Sequence, residues 1–298
     1  MSDKLDKIKN GALKEKKTAI ICTAAVLILA LIITVICVSV HNYRKVEEFE
    51  METLQFSDYT ENKKVKLIAH RGYRAIAPEN TLPAYEMAGQ AGYWGAECDV
   101  YRTKDGVWVL QHDPKTSKLM NKSKKIEKSS YEELKQLYYK RGNNIANYQE
   151  LRICTLEEYL DKCSQFNMTP VIELKGKNNQ EYYSEIVSSV SKYSLKAVYI
   201  SFEKTDLEKM RELTDAKLFL LTSEVKKGAI KDAKSIKNCG LEFNAAEEKN
   251  YTDKAKELIK QAQKDGVETA AWNVNSIDTL NKLYKSGTYY YTTDMLTY

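Results

Sequence analysis

Four short stretches of the sequence carry residues able to do chemistry: His70-Arg71, Glu97-Cys98-Asp99, His112-Asp113 and Glu173-Leu174-Lys175. The chain has three histidines, and two of them fall in this set. Imidazole gains and loses a proton near neutral pH, so His70 and His112 are candidates for an acid and a base. Glu97 and Asp99 are two residues apart and therefore project to the same side of a strand, while Cys98 between them points away. Two carboxylates held together repel unless a cation compensates. With Glu173 they form an all-oxygen set that suits a hard divalent cation, Mg²⁺ or Ca²⁺, better than Zn²⁺. The plainer alternative is that these carboxylates simply pair with Arg71 and Lys175. Arg71 offers a planar fork matched to phosphate oxygens and Lys175 a point charge. Together the set describes a phosphate-ester site.

Such residues act together only if the fold brings them together. From Val65 onward short apolar runs alternate with helix-like stretches. The runs are Lys66–Ala69, Ala96–Val100, Val107–Gln111, Pro170–Leu174, Ala197–Ser201, Lys217–Thr222, Leu241–Asn244, Ala270–Val274 and Tyr289–Thr292. Helices are expected over Thr81–Ala91, Ser130–Tyr139, Thr155–Phe166, Gln180–Ser191, Thr205–Leu213, Ala229–Lys237, Thr252–Asp265 and Ile277–Ser286. Repeated strand-then-helix units imply a parallel sheet, and their number and length imply an α/β fold of the (β/α)₈ TIM-barrel type. An open doubly wound sheet is the rival, but no GxGxxG follows an early strand. Nine runs exceed eight places. Asp105-Gly106 is a tight-turn pair, so Val107–Gln111 is expected to form a hairpin beside the Ala96–Val100 strand. The four chemical stretches all fall at strand ends, which a barrel gathers at one mouth.

The first 63 residues are of another kind. Thr18–Val40 has no charge, Pro or Gly across 23 residues, enough for a helix to cross roughly 30 Å of hydrocarbon. It is longer than the apolar core of a cleaved leader. Lys4, Lys7, Lys9, Lys14, Lys16 and Lys17 precede it, whereas only Arg44 and Lys45 lie in the twenty residues that follow. The expectation is a single-pass cell-membrane protein: a cytoplasmic tail (1–17), a transmembrane helix (18–40), a juxtamembrane spacer (41–63) with helix through Glu47–Leu54, and an extracellular domain (64–298). His41, at the membrane edge, reads as interfacial. The net charge of +5 from 46 basic and 41 acidic side chains gives no reason to expect a nucleic-acid partner. Cys98, Cys154, Cys163 and Cys239 show no metal-ligand spacing; they are either disulfide-bonded or free packing residues.

The segment LIAHRGYRAIAPENTLPAYEMAGQAGYWGAECDVYRTKDGVWVLQHD, Leu67 to Asp113, resembles the signature of the glycerophosphodiester phosphodiesterase family. TLEEYL at Thr155–Leu160, VIELKG at Val171–Gly176, ISF at Ile200–Phe202, WNVN at Trp272–Asn275 and TTD at Thr292–Asp294 agree with it, so the resemblance covers nearly all of residues 65 to 298. It implies a TIM-barrel phosphodiesterase that uses one divalent cation. By position, His70 and His112 match acid/base histidines, Glu97, Asp99 and Glu173 match metal ligands, and Arg71 and Lys175 match phosphate contacts. Glu79 of PENT matches a carboxylate supporting the site; its alternative role is a salt bridge to a nearby Arg. Trp272 matches an aromatic at the mouth and is equally readable as a barrel-core residue. Cys154 stands where a Pro often precedes TLEE, and Gln111 precedes the second histidine; neither removes a required group. The implied reaction turns a glycerophosphodiester into glycerol phosphate and an alcohol, with water or the neighbouring glycerol hydroxyl as nucleophile. Rival readings are phospholipase D-like action on lysolipids or intact lipids, and a tethered binding protein without catalysis.

Overall fold

The computed structural model describes residues 49–54, 65–177, 179–250 and 252–298. Nine strands form one sheet: β1 (Lys66–Ala69), β2 (Gly95–Arg102), β3 (Trp108–Leu110), β4 (Thr169–Leu174), β5 (Val198–Ser201), β6 (Lys217–Thr222), β7 (Cys239–Asn244), β8 (Thr269–Trp272) and β9 (Tyr290–Thr293). Eight of them are parallel, in the order β1-β9-β8-β7-β6-β5-β4-β2, and β1 also pairs with β2, which closes the barrel. The surplus ninth strand, β3, runs antiparallel to β2 with Val100 opposite Leu110. The Asp105-Gly106 hairpin is therefore present where the sequence places it.

Helices α1 (Leu82–Gln90), α2 (Tyr131–Leu134), α3 (Leu156–Gln165), α4 (Tyr183–Lys192), α5 (Lys204–Leu213), α6 (Lys227–Lys234), α7 (Asp253–Lys264) and α8 (Ile277–Tyr284) cover the outside. Thr155 and Glu158 start α3 with a reciprocal capping box, and Ser276 caps α8. One helix is much shorter than expected. Ser130 and Glu133 form a capping box for α2, but the helix ends at Leu134 instead of reaching Tyr139. Beyond it the chain turns so that Leu137 and Tyr139 enter a separate core with Tyr101, Val109, Leu119, Met120, Ile126 and Ile153. Tertiary packing there overrides local helix preference. This core holds together the long insert between β3 and α3.

Strand alternation sorts the rest. Outward residues such as Leu67, Cys98, Val100 and Ile172 pack against the helices. Inward residues Ile68, Val171, Val198, Ile200, Phe219, Leu221 and Ala270 fill the lumen. Cys98, Cys154, Cys163 and Cys239 are all free and buried, which selects the packing alternative.

The helix expected through Glu47–Leu54 is not formed in its described part. Residues 49–54 are extended, not helical, and lie along the chain end: Leu54 N donates to Thr297 O (2.8 Å) and Thr297 N to Glu52 O (3.1 Å). The Glu52 carboxylate accepts from Ile277 N at the start of α8 (2.9 Å), and Leu54 is buried. Backbone pairing and a buried leucine outweigh the helix tendency of the acidic run. The expected tail (1–17), transmembrane helix Thr18–Val40, His41 and the rest of the spacer lie outside the described residues. Among the described residues no helix is long and apolar enough to cross a membrane.

Candidate active site

The carboxyl end of β1 leads directly into His70, Arg71 and Gly72. Arg71 and Gly72 both have left-handed backbone (φ 57° and 78°), which aims Arg71 N into the barrel, where it donates to Glu97 Oε2 (2.8 Å). A Cβ at Gly72 would sit 2.6 Å from Ala84 Cβ of α1, so this tight reversal depends on glycine. Asn80, also left-handed at φ 55°, returns from the following loop. Its Nδ2 donates to Asp99 Oδ2 (2.8 Å) and its Oδ1 accepts from the buried Tyr85 hydroxyl (2.9 Å).

Glu97 and Asp99 both face inward from β2, and Glu173 joins them from β4 across the Asp99–Glu173 register pair. All three are buried, and a ligand oxygen from each lies within 4.8 Å of the others. Glu97 Oε1 and Asp99 Oδ1 are buried without a hydrogen-bond partner. Converging buried carboxylate oxygens, with Glu97 Oε1 lacking any partner among the described residues and Asp99 Oδ1 held only by a 3.3 Å ion pair to Lys175, are what an oxygen-loving divalent cation would satisfy, so the residues present fit one.

The two basic groups pair with the carboxylates. Arg71 Nη1 is 3.0 Å from Glu79 Oε1 and its Nε 3.4 Å from Asp99 Oδ2. Lys175 Nζ is 2.6 Å from Glu173 Oε1 and 3.3 Å from Asp99 Oδ1. The cations thus pair with the carboxylates and are also held at the cluster's edge. Burial works against the charge on Asp99, but Arg71, Lys175 and the Asn80 amide more than offset it and hold this carboxyl well below its usual range. Burial, together with the neighbouring Asp99 charge, pushes Glu97 well up and Glu173 up to about 8. Three carboxylates sharing this space cannot all stay charged cheaply without added positive charge.

His70 Nδ1 lies 2.7 Å from Asp294 Oδ1 just after β9. Asp294 is held in turn by Asn275 Nδ2 (2.7 Å) and Arg74 Nη1 (3.4 Å). Its burial is outweighed by these partners, which keep it well below the carboxylate range. His112, which follows β3, has Nδ1 3.0 Å from Asp113 Oδ1. Burial lowers its pKa, with the Asp99 charge acting the other way. Glu79 makes the arginine salt bridge that was one of its two readings, to Arg71 and more distantly to Arg74 (4.0 Å). Trp272 packs on the lumen cluster and meets Phe202 edge-on at 6.0 Å between ring centroids, so it is both barrel aromatic and rim residue.

Several residues of this network were not singled out as site residues from the sequence: Asn80, Arg74, Asn275 and Asp294. Each lies inside or beside a quoted motif, PENT, HRGYR, WNVN or TTD, and that proximity was the available signal.

Comparison with known proteins bears on this geometry. Residues 70–295 match the glycerophosphoryl diester phosphodiesterase family. Glycerophosphodiester phosphodiesterase 1 of Mus musculus is 32% identical over 140 residues, 47% of this chain and 39% of that protein. The chain therefore aligns with about two fifths of the mouse relative. An uncharacterized Mycoplasma genitalium protein is 31% identical over 72% of this chain and 88% of its own length. An Oleispira antarctica phosphodiesterase, solved with the product sn-glycerol-3-phosphate, superposes with a TM-score of 0.69 at 27% identity, covering 77% of this chain and 92% of that one. A Thermotoga maritima glycerophosphodiester phosphodiesterase superposes with a TM-score of 0.60 at 26% identity, over 77% and 94%. With the eight-stranded barrel, the carboxylate triad and the two histidines at one mouth, the chain belongs to the glycerophosphoryl diester phosphodiesterase family.

Proposed function

We propose that this protein hydrolyses glycerophosphodiesters to glycerol phosphate and an alcohol. The observation that carries the reading is the buried, converging Glu97, Asp99 and Glu173 set, in which Glu97 Oε1 has no hydrogen-bond partner, flanked by Arg71 and Lys175. The product found in the Oleispira relative supports the same chemistry. Glu97, Asp99 and Glu173 would hold one divalent cation, Ca²⁺ or Mg²⁺, which when bound would neutralise charge building up on the phosphoryl oxygens. Arg71 and Lys175 bind the remaining phosphate oxygens and orient the diester. Asp294 accepts from His70 Nδ1 and so leaves Nε2 as the working atom, placed to protonate the leaving alcohol oxygen. His112, kept neutral by burial, takes the proton from the nucleophile, either water or the adjacent glycerol hydroxyl.

The protein is further proposed to sit in the cell membrane through Thr18–Val40, with its N-terminus cytoplasmic and the barrel outside. The charge-free run and the lysines before it support this. Added protease reaching the barrel in intact cells is the expected result; protection would reverse the orientation.

The activity is tested with the detergent-solubilised full chain on glycerophosphocholine and glycerophosphoglycerol. Glycerol 3-phosphate release is coupled to a dehydrogenase, with EDTA, Ca²⁺ and Mg²⁺ series. Cation-dependent release is expected. No release from folded, cation-loaded protein would overturn the reading.

A further inference from the structure

The insert between β3 and α3 carries an unusual charge. From Lys115 to Arg152 there are ten Lys or Arg against four acidic residues, an excess of six. The whole chain has a net charge of +5, so everything outside the insert sums to −1. Lys115, Lys118, Lys122, Lys128 and Lys140 are exposed and form no ion pair among the described residues. The opposite end of the barrel differs: Lys192, Lys217, Lys234 and Lys237 each lie 2.7–3.8 Å from a carboxylate.

The insert sits on the rim of the mouth. Asn143 and Asn144 donate to Arg74 O (2.7 Å) and Ile76 O (3.0 Å) in the loop after β1. Glu127 accepts from Lys177 N (3.1 Å) in the loop after β4. The exposed large apolar side chains gather at this end too. Among the described residues they are Met51 (60% exposed), Tyr138 (37%) and Phe202 (48%). Met51 accepts from the Tyr73 hydroxyl in the loop after β1, and Phe202 directly follows β5. Tyr138 lies on the insert with Lys140 and Arg152 about its ring at 5.9 and 6.0 Å. Phe49 stacks on Arg74 (5.4 Å), so the chain enters the described domain beside the mouth.

Unpaired lysines interleaved with exposed aromatic and aliphatic tips suit a surface that is anionic outside and apolar just beneath. A soluble polyanion would use the lysines but would leave Met51, Tyr138 and Phe202 in water. We propose that the mouth end of the barrel, with the insert as its basic rim, docks on an anionic phospholipid bilayer. The site then takes its phosphodiester from that surface, a lipid-linked substrate such as a lysophospholipid. The choice of substrate rests on the phosphodiesterase reading above, whereas the docking does not.

The test uses the full chain with nanodiscs of phosphatidylcholine alone or mixed with phosphatidylglycerol. Lysine acetylation is read by mass spectrometry. In the anionic discs Lys118, Lys122, Lys128 and Lys140 should label at least fivefold more slowly than in neutral discs, with Lys192 and Lys234 unchanged. Equal labelling in both discs, or protection at Lys192 and Lys234, would overturn the docking. So would protection by inorganic polyphosphate with none from anionic discs. The K118E/K122E/K128E/K140E variant should keep wild-type turnover of soluble glycerophosphoglycerol and lose at least tenfold on lysophosphatidylglycerol in anionic discs. Parallel turnover of both substrates in variant and wild type would reject the lipid-surface substrate. Wild-type failure on the soluble diester would instead strike the phosphodiesterase reading and leave the labelling result standing.

Discussion

At the carboxyl ends of the strands, Glu97, Asp99 and Glu173 share the lumen with Arg71 and Lys175. At the amino ends the same lumen is closed by rings. Tyr290 packs edge-on against Phe219 (5.4 Å) and Trp94 (5.5 Å), and Lys66 lies over Tyr290 (4.3 Å) while donating to its hydroxyl (2.8 Å). The mouth thus concentrates like charge in a buried place, which costs stability. The aromatic end makes ordinary well-packed contacts. A barrel tolerates the first because the second is at the far end of the same strands. Function and stability should therefore be separable by position along a strand.

The largest effects should come from the mouth. His70→Ala or His112→Ala should lower kcat/KM by about 10²–10⁴-fold with little change in Tm. A large Tm loss in these variants would make the histidines structural and erase the contrast. Removing the cation with EDTA should abolish turnover, and Ca²⁺ or Mg²⁺ should restore it. In Asp99→Asn, restoration should fail and calorimetric cation binding should weaken sharply. At the aromatic end, Phe219→Ala should cost about 3–5 kcal/mol in denaturant unfolding while the folded fraction keeps wild-type kcat/KM. Loss of kcat/KM in proportion to stability would show that the ends are coupled.

A subtler test uses Glu242, a fully buried carboxyl on β7 that accepts from Thr292 Oγ1 (2.9 Å). Burial pushes its pKa up to about 7, above the ordinary value of 4.5. A raised carboxyl pKa favours the protonated fold, so its contribution is full below about pH 4.5 and is lost as pH rises through about 7. Glu242→Gln should remove this slope and gain on the order of 2–3 kcal/mol over wild type above pH 7. Equal pH slopes in the two proteins would mean that the carboxyl is charged in the fold. The smallest effect belongs to the strap at 49–54. Glu52→Ala should lose roughly 1 kcal/mol by freeing Ile277 N.

The same division decided what could be read from sequence. Parallel strands are buried on both faces, so the eight barrel strands stood out as short apolar segments, and the antiparallel β3, buried along its whole length, stood out with them. Asp105-Gly106 marked the hairpin. His70 and Arg71 follow β1, Glu97 and Asp99 face the lumen from β2, His112 follows β3, Glu173 and Lys175 lie at the end of β4 and Trp272 ends β8, so each was legible beside an apolar run, whereas Glu79, in the loop before α1, was legible only through PENT. Ser130–Tyr139 misled, because the Ser130 and Glu133 capping box does start a helix, yet Leu137 and Tyr139 beyond it are placed by the insert core. Asp294 was quoted without a role, since its meaning depends on β9 lying beside β1, 224 residues away. The packing of 49–54 was equally hidden, as its partner is the far end of the chain.

The four buried thiols, spread over β2, the chain before α3, α3 itself and the start of β7, have a practical consequence. None is tied to another, so each is a silent reporter that reacts with an alkylating reagent only when its own neighbourhood opens. Burial also raises the pKa of all four, which suppresses reaction in the closed state further. Peptide-resolved alkylation rates of the unmodified protein would show whether the half of the barrel bearing Cys98 and Cys163 breathes together with the half bearing Cys239, with no label or mutation introduced.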